Sequence, residues 1–89
     1  MNVRYSRRAL SQLASVREYL QARNSAAADK VTASIRSTIA RLKEMPLLGK
    51  PTDEVDVHVI IEPEYFYRVF YSLDGQEVFV IRILHGHQR

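Results

Sequence analysis

Residues 65–84 of the chain read YFYRVFYSLDGQEVFVIRIL. Two runs rich in aromatic and β-branched residues flank Asp74-Gly75, and this dipeptide is a strong short-range signal for a β-hairpin. The pattern predicts strands at about 65–72 and 76–84. Because each run contains one arginine, Arg68 and Arg82, the hairpin is expected to carry cations on its surface.

The form of the turn decides which face of the sheet carries the two arginines. With Asp74-Gly75 as a two-residue turn, they point to opposite faces. With a three-residue loop at 73–75 and Gly75 in the left-handed conformation, they share one face. The second register is preferred, since the first presses a charge against the rest of the protein. It assigns these side chains to a covered, apolar face: Tyr67, Val69, Tyr71, Phe79, Ile81 and Ile83. It assigns these to an open face: Phe66, Arg68, Phe70, Val78, Val80, Arg82 and Leu84.

The first half of the chain predicts a strand and two helices. Residues 2–5 form a strand candidate, and Ser6 suits the N-cap of a helix. Apolar residues spaced by three and four predict helices at about 7–23 and 26–44, separated by Asn24-Ser25 and ended by Pro46. The predicted inner stripes are Leu10, Leu13, Val16 and Leu20 in the first helix, and Ala28, Val31, Ile35, Ile39, Leu42 and Met45 in the second.

After Pro46 the apolar period changes to two, and residues 55–61 are predicted to form a strand. The predicted order is therefore β-α-α-β-β-β. This is an α+β fold in which a two-helix hairpin packs on one face of a small, mainly antiparallel sheet.

Length and composition limit the possible classes of protein. The 89 residues are expected to form one domain, 1–89. The absence of cysteine excludes disulfides and thiolate chemistry, and no apolar run suits a signal peptide or a membrane span. Residues 1–50 hold ten Lys and Arg against three Asp and Glu, a net charge of +7, whereas residues 51–89 carry −4. This excess of arginine suits contacts with carboxylates or phosphates, although solvated helix faces explain it equally well.

Five segments in order match a known family. They are the opening Tyr5-Ser6-Arg7-Arg8-Ala9-Leu10, the start of the second predicted helix at Ala26-Ala27-Ala28, and the end of that helix with Leu42, Pro46 and Gly49. The last two are the predicted strand Tyr67-Arg68-Val69-Phe70-Tyr71 and the C-terminal segment Ile81-Arg82-Ile83-Leu84-His85-Gly86. In these segments the chain resembles the RelE/ParE family of type II toxin–antitoxin toxins. Its Leu84-His85-Gly86 ending and its short N-terminal half with two helices are closer to the ParE-like branch. The resemblance implies a cytoplasmic bacterial growth inhibitor that poisons DNA gyrase and is neutralised by a cognate antitoxin. The alternative is a RelE-like, ribosome-dependent mRNA endonuclease (mRNA interferase).

For the nuclease alternative, RNA cleavage needs a base, an acid and fixed positive charge at the phosphate. Arg68 and Arg82 are the candidates for the charge, with His85 or His87 as the acid or base. Asp56 and His58 stand where the strongest messenger-cutting members have lysines, which argues against this activity. His85 and His87 have no third metal ligand near them in sequence, so neither a metal site nor a cofactor is expected.

For binding to an antitoxin or a target, the candidates are Arg68, Arg82, Phe66, Phe70, His58 and Arg89. A tail that is disordered in the free antitoxin is expected to wrap the toxin, as a helix in a groove or as an added edge strand. Its acidic residues are expected to cover Arg68 and Arg82.

Overall fold

A computed structural model describes residues 1–85 and shows two helices and five strands in that part of the chain. The elements are β1 (Asn2–Tyr5), α1 (Arg7–Gln21), α2 (Ser25–Arg41), β2 (Lys50–Pro51), β3 (Val57–Ile61), β4 (Tyr67–Asp74) and β5 (Glu77–His85). The predicted α+β class is confirmed, with the two-residue β2 as an addition to the predicted order. None of the helices in residues 1–85 combines the length and the apolar character needed to cross a membrane.

The strands form one sheet in the order β1-β5-β4-β3-β2. β1 runs parallel to β5, and the other neighbours are antiparallel. The two helices cover one side of this sheet, and the side chains between the layers form the core. The opposite side, which carries Arg4, Arg68 and Arg82, is the open face.

Each helix begins at a residue whose side chain caps it. Ser6 Oγ accepts a hydrogen bond from Ala9 N at 2.9 Å, as predicted, and Asn24 Oδ1 accepts one from Ala27 N at 3.1 Å. The buried core residues include Ala9, Leu13, Val31, Ile35, Ile39, Leu42, Ile60, Val69, Tyr71, Val78, Val80 and Ile83.

Two residues of the predicted helical stripes do not reach the core. Leu10 is 50% exposed and Met45 is 52% exposed. Ala9 takes the inner position of α1, because Ala9 and Leu13 are four residues apart and lie on the same side of the helix, whereas Leu10 is rotated away by one residue. Met45 lies beyond the end of α2, where the helical spacing no longer fixes its direction.

Both predicted registers of the hairpin are wrong. Asp74 pairs with Glu77, so the loop is Gly75-Gln76. Gly75 has a φ of 60° at the first loop position, where a tight hairpin turn requires a glycine.

A β-bulge then changes the pairing further along the hairpin. Tyr71 pairs with Val80 but Phe70 pairs with Arg82, which leaves Ile81 as an extra residue in β5. Ser6 Oγ donates to the Ile81 carbonyl at 2.5 Å, so the N-cap of α1 also holds the bulge. On the turn side of the bulge Val78 and Val80, not Phe79 and Ile81, face the helices, which corrects the predicted assignment.

Candidate functional site

Arg68 and Arg82 lie together on the open face. Arg68 pairs with Leu84 and Arg82 pairs with Phe70, and the residues of both pairs lie on the side of the sheet away from the helices. The guanidinium carbon of Arg82 is 4.0 Å from the centre of the Phe70 ring, and that of Arg68 is 5.9 Å from it, both within cation–π range. The predicted placement of the two arginines on one face is confirmed, although the bulge rather than the turn produces it.

Glu54 covers one of these arginines. Its Oε1 accepts a hydrogen bond from Arg82 Nη2 at 2.5 Å, and the Arg82 side chain is only 17% exposed. The guanidinium therefore contacts an aromatic ring and a carboxylate. No signal in the sequence pointed to Glu54, since it lies in the loop before β3, 28 positions from Arg82, where no periodicity relates the two.

A second cation–aromatic pair extends this surface to β1. The Arg4 guanidinium carbon is 4.6 Å from the centre of the Phe79 ring, and Arg4 Nε is 3.6 Å from Glu77 Oε1. Arg4 pairs with Phe79 in the parallel ladder, so both belong to the open face. Arg4 was not among the predicted site residues, because nothing local to β1 indicates which strand it pairs with.

Phe66 is presented by a turn that the Glu62 carboxylate holds. Glu62 is fully buried, and it accepts hydrogen bonds from Ser34 Oγ at 2.5 Å and from the backbone N–H groups of Glu64 and Tyr65 at 2.8 and 2.7 Å. Burial alone raises the pKa of this carboxyl, but the hydrogen bonds outweigh it and the pKa is lowered. The backbone of Phe66 has a φ of 64°, which is strained for a bulky residue. Its side chain is 59% exposed and therefore largely in contact with solvent.

The two described histidines, His58 and His85, lie on the side of the sheet opposite Arg68 and Arg82. His58 lies opposite Tyr71 and stacks on its ring at 5.5 Å, on the covered side of the sheet. Within residues 1–85 its buried Nδ1 has no hydrogen-bond partner. His85 lies opposite Tyr67 with its ring edge-on at 4.9 Å, also on the covered side.

Two further predicted site residues, His87 and Arg89, lie outside the described residues. Across that part of the chain which the structure describes, no group of three or more potential metal ligands is present.

An open groove of about 930 Å³ runs between α1 and the adjoining ends of β4 and β5. It is lined by Gln12, Ser15, Val16, Tyr19, Leu20, Tyr67, Ile83, Leu84 and His85. Burial, and then the nearby Glu62 carboxylate, raise the pKa of Tyr67, so its hydroxyl stays protonated at neutral pH. The groove therefore combines apolar side chains, such as Val16, Leu20 and Ile83, with polar ones, such as Gln12 and Tyr67.

Solved toxin–antitoxin systems share this fold. A chain of the chromosomal ParDE TA system from P. aeruginosa superposes with a TM-score of 0.77 and 16% identity, covering 96% of this chain and 95% of that one. A chain of the intact E. coli RelBE toxin–antitoxin complex superposes with a TM-score of 0.70 and 19% identity, covering 98% of each. At these identities the likeness is one of fold.

The sequence itself identifies the family. Residues 3–89 match the family described as the ParE toxin of the type II toxin–antitoxin system, parDE, and the chain belongs to that family. This confirms the resemblance to the RelE/ParE toxins and to their ParE-like branch. No curated protein sequence matches the chain significantly.

Proposed function

We propose that residues 1–89 form a single toxin domain that acts in the bacterial cytoplasm as a ParE-like poison of DNA gyrase. The observation that carries this proposal is the separation of Arg68 and Arg82 from both described histidines. The arginines lie on the open face, whereas His58 and His85 lie on the covered side. The predicted nuclease needs a histidine acid or base beside the charge that stabilises the phosphate, and neither described histidine, His58 or His85, lies on the face that carries Arg68 and Arg82. The arrangement favours action by contact over nuclease chemistry.

We also propose that a cognate antitoxin with a disordered C-terminal tail neutralises the protein. The two structural neighbours belong to toxin–antitoxin systems, and this supports an antitoxin as the partner. The groove along α1 suits the apolar side of an amphipathic helix. The open face suits acidic side chains, because Arg4, Arg68 and Arg82 lie on it beside aromatic rings.

The choice of target is tested with purified components. The free protein is expected to inhibit supercoiling by DNA gyrase and to leave cleaved plasmid, because binding alone suffices for a poison. In a reconstituted translation reaction, it is expected to leave the messenger RNA intact. Both reactions are read on gels at the same protein concentrations, with the antitoxin complex as the inactive control.

The opposite result, transcript cleavage on ribosomes with gyrase unaffected, would establish the RelE-like alternative and refute the proposal. In cells, expression without antitoxin is expected to induce a DNA-damage reporter before protein synthesis stops. Translation arrest before any reporter signal would contradict gyrase as the target.

Arg82→Ala is expected to weaken antitoxin binding about 10–100-fold, because the substitution removes a largely covered charge that would pair with acidic side chains of the antitoxin. Arg68→Ala is expected to act in the same direction. Glu54→Gln is expected to strengthen binding a few-fold, since the antitoxin then no longer competes with the internal carboxylate for Arg82. Dissociation constants are measured by titration calorimetry of each purified variant.

The matched control is Arg8→Ala, which removes an exposed arginine of α1 outside the open face. Its affinity is expected to equal that of the wild type. Unchanged affinity in both Arg68→Ala and Arg82→Ala would show that the antitoxin does not cover the open face with acidic groups.

A further inference from the structure

The outer edge of β1 can accept another strand. β1 ends the sheet and pairs only with β5. The backbone N–H groups of Asn2 and Ser6 bond to Gln76 O and Val80 O at 3.2 and 2.9 Å. Along a strand, the backbone N–H and C=O groups of successive residues point to alternate sides. Val3 and Tyr5, which lie between the residues bonded to β5, therefore point their N–H and C=O groups away from β5. The structure gives those outward groups no partner among residues 1–85.

A small basic concavity adjoins this edge on the helix side. It has a volume of about 290 Å³ and is lined by Val3, Tyr5, Arg36, Ile39, Ala40 and Lys43. Arg36, Ala40 and Lys43 are spaced by four and three residues, so they lie along one side of α2 and the turn that follows it. The short side chain of Ala40 leaves room between the two cations.

Further positive charge surrounds the edge. The Met1 ammonium donates to the Lys43 carbonyl at 2.8 Å, which holds the start of the chain beside the concavity. Burial raises the pKa of the Tyr5 phenol, and the positive charge of Arg36 opposes this rise, so the guanidinium lies close to the phenol. Arg4 adds a cation on the other face of the same strand, partly offset by Glu77.

We propose that the β1 edge binds an extended acidic segment of a partner protein, which adds as a strand and directs alternate carboxylates to Arg36 and Lys43. Backbone hydrogen bonds to Val3 and Tyr5 provide the pairing, and the period of two along a strand places every second side chain over the concavity. The same cations oppose pairing of two copies through this edge, because like charges would then face each other. Such a segment would bind whether or not the protein acts on gyrase.

The probe is a blocked heptapeptide of alternating glutamate and valine, titrated into the full chain at low salt and followed by NMR. The amide signals of Val3 and Tyr5 are expected to shift more than those of Asn2 and Arg4, whose N–H groups already bond within the sheet. Arg36→Gln combined with Lys43→Gln is expected to weaken binding about tenfold, the effect of two partly exposed charge contacts. Arg41→Gln is the matched control, since this exposed arginine of α2 lies outside the concavity, and it is expected to change nothing.

Three results would overturn the proposal. One is equal binding of a valine–lysine heptapeptide, which would show that charge does not select the segment. Another is unchanged affinity in the double variant despite a folded circular dichroism spectrum. The third is a concentration-dependent shift of the Val3 and Tyr5 signals without peptide, which would assign the edge to a second copy of the chain.

Discussion

Gly49→Ala is expected to destabilise the protein by about 3 kcal/mol, because the added methyl group meets atoms that cannot move. A Cβ at this position would lie 2.6 Å from the Val59 carbonyl oxygen, 2.7 Å from Tyr71 Oη and 2.9 Å from Tyr71 Cε1. The first is backbone of β3, and the Tyr71 ring is fully buried. The segment before β2 must therefore shift outward.

That shift also breaks the two partly buried hydrogen bonds of the Tyr71 hydroxyl. Tyr71 Oη accepts from Gly49 N at 2.9 Å and donates to the Pro46 carbonyl at 2.8 Å. Tyr71→Phe is expected to cost about 1–2 kcal/mol, since it leaves these backbone groups without their partner. The double variant is expected to be less destabilised than the sum of the single variants, because both act on one contact.

Urea unfolding followed by circular dichroism measures these free energies. Gly75→Ala is the matched control, because Gly75 has a φ of 60° but a Cβ added there would meet no atom of residues 1–85 within 4 Å, its own chain neighbours aside. Its cost is expected to be about 1 kcal/mol from backbone strain alone. A Gly49→Ala variant as stable as the wild type would contradict the close approach of this segment to β3.

Loss of the Glu62 carboxylate is the second change with a large expected effect. Glu62→Ala is expected to cost about 4 kcal/mol, because it leaves the Glu64 and Tyr65 N–H groups and the Ser34 hydroxyl without their acceptor. Glu62→Gln is expected to cost about 2 kcal/mol, since the amide keeps one acceptor oxygen and turns a donor toward the remaining N–H.

The same carboxylate makes stability depend on pH. The folded-state pKa of Glu62 lies below its ordinary value of 4.5, so the unfolded chain takes up this proton more readily. The stabilisation is therefore complete above about pH 4.5 and is lost as the pH falls through the lowered folded-state pKa. Glu62→Gln is expected to remove this component, so its free energy of unfolding falls less steeply below pH 4.5.

Urea midpoints measured between neutral and acidic pH test this expectation. Glu64→Gln is the matched control, because this neighbouring carboxylate is exposed and its side chain holds no part of the turn. Parallel pH profiles for Glu62→Gln and the wild type would contradict the role of the buried carboxylate. If the Glu62 variants also bind a target less tightly while remaining folded, the held position of Phe66 contributes to that interface.

Local pattern was sufficient for most of the fold. Spacings of three and four predicted both helices, and Ser6 predicted the first cap. The change to a period of two predicted the strand at 55–61, and the aromatic and β-branched runs around Asp74-Gly75 predicted the hairpin. These patterns predict helices and strands because the periodicity of each depends only on residues that are close together in the sequence. They do not extend to contacts such as Glu54 with Arg82 or Arg4 with Phe79, which join residues brought together only by the order of strands in the sheet.

The sequence by itself determined the α+β class, the family, and the presence of an arginine in each strand of the hairpin. Only the tertiary structure decided where those arginines point. With the turn at Gly75-Gln76, an unbroken ladder would direct Arg82 toward the helices. The extra residue Ile81, held by Ser6 of the helical layer, reverses the alternation and moves Arg82 beside Phe70 on the open face. The physical reason is that a bulge forms where packing and a distant hydrogen bond stabilise it, and neither is visible in the residues of the hairpin alone.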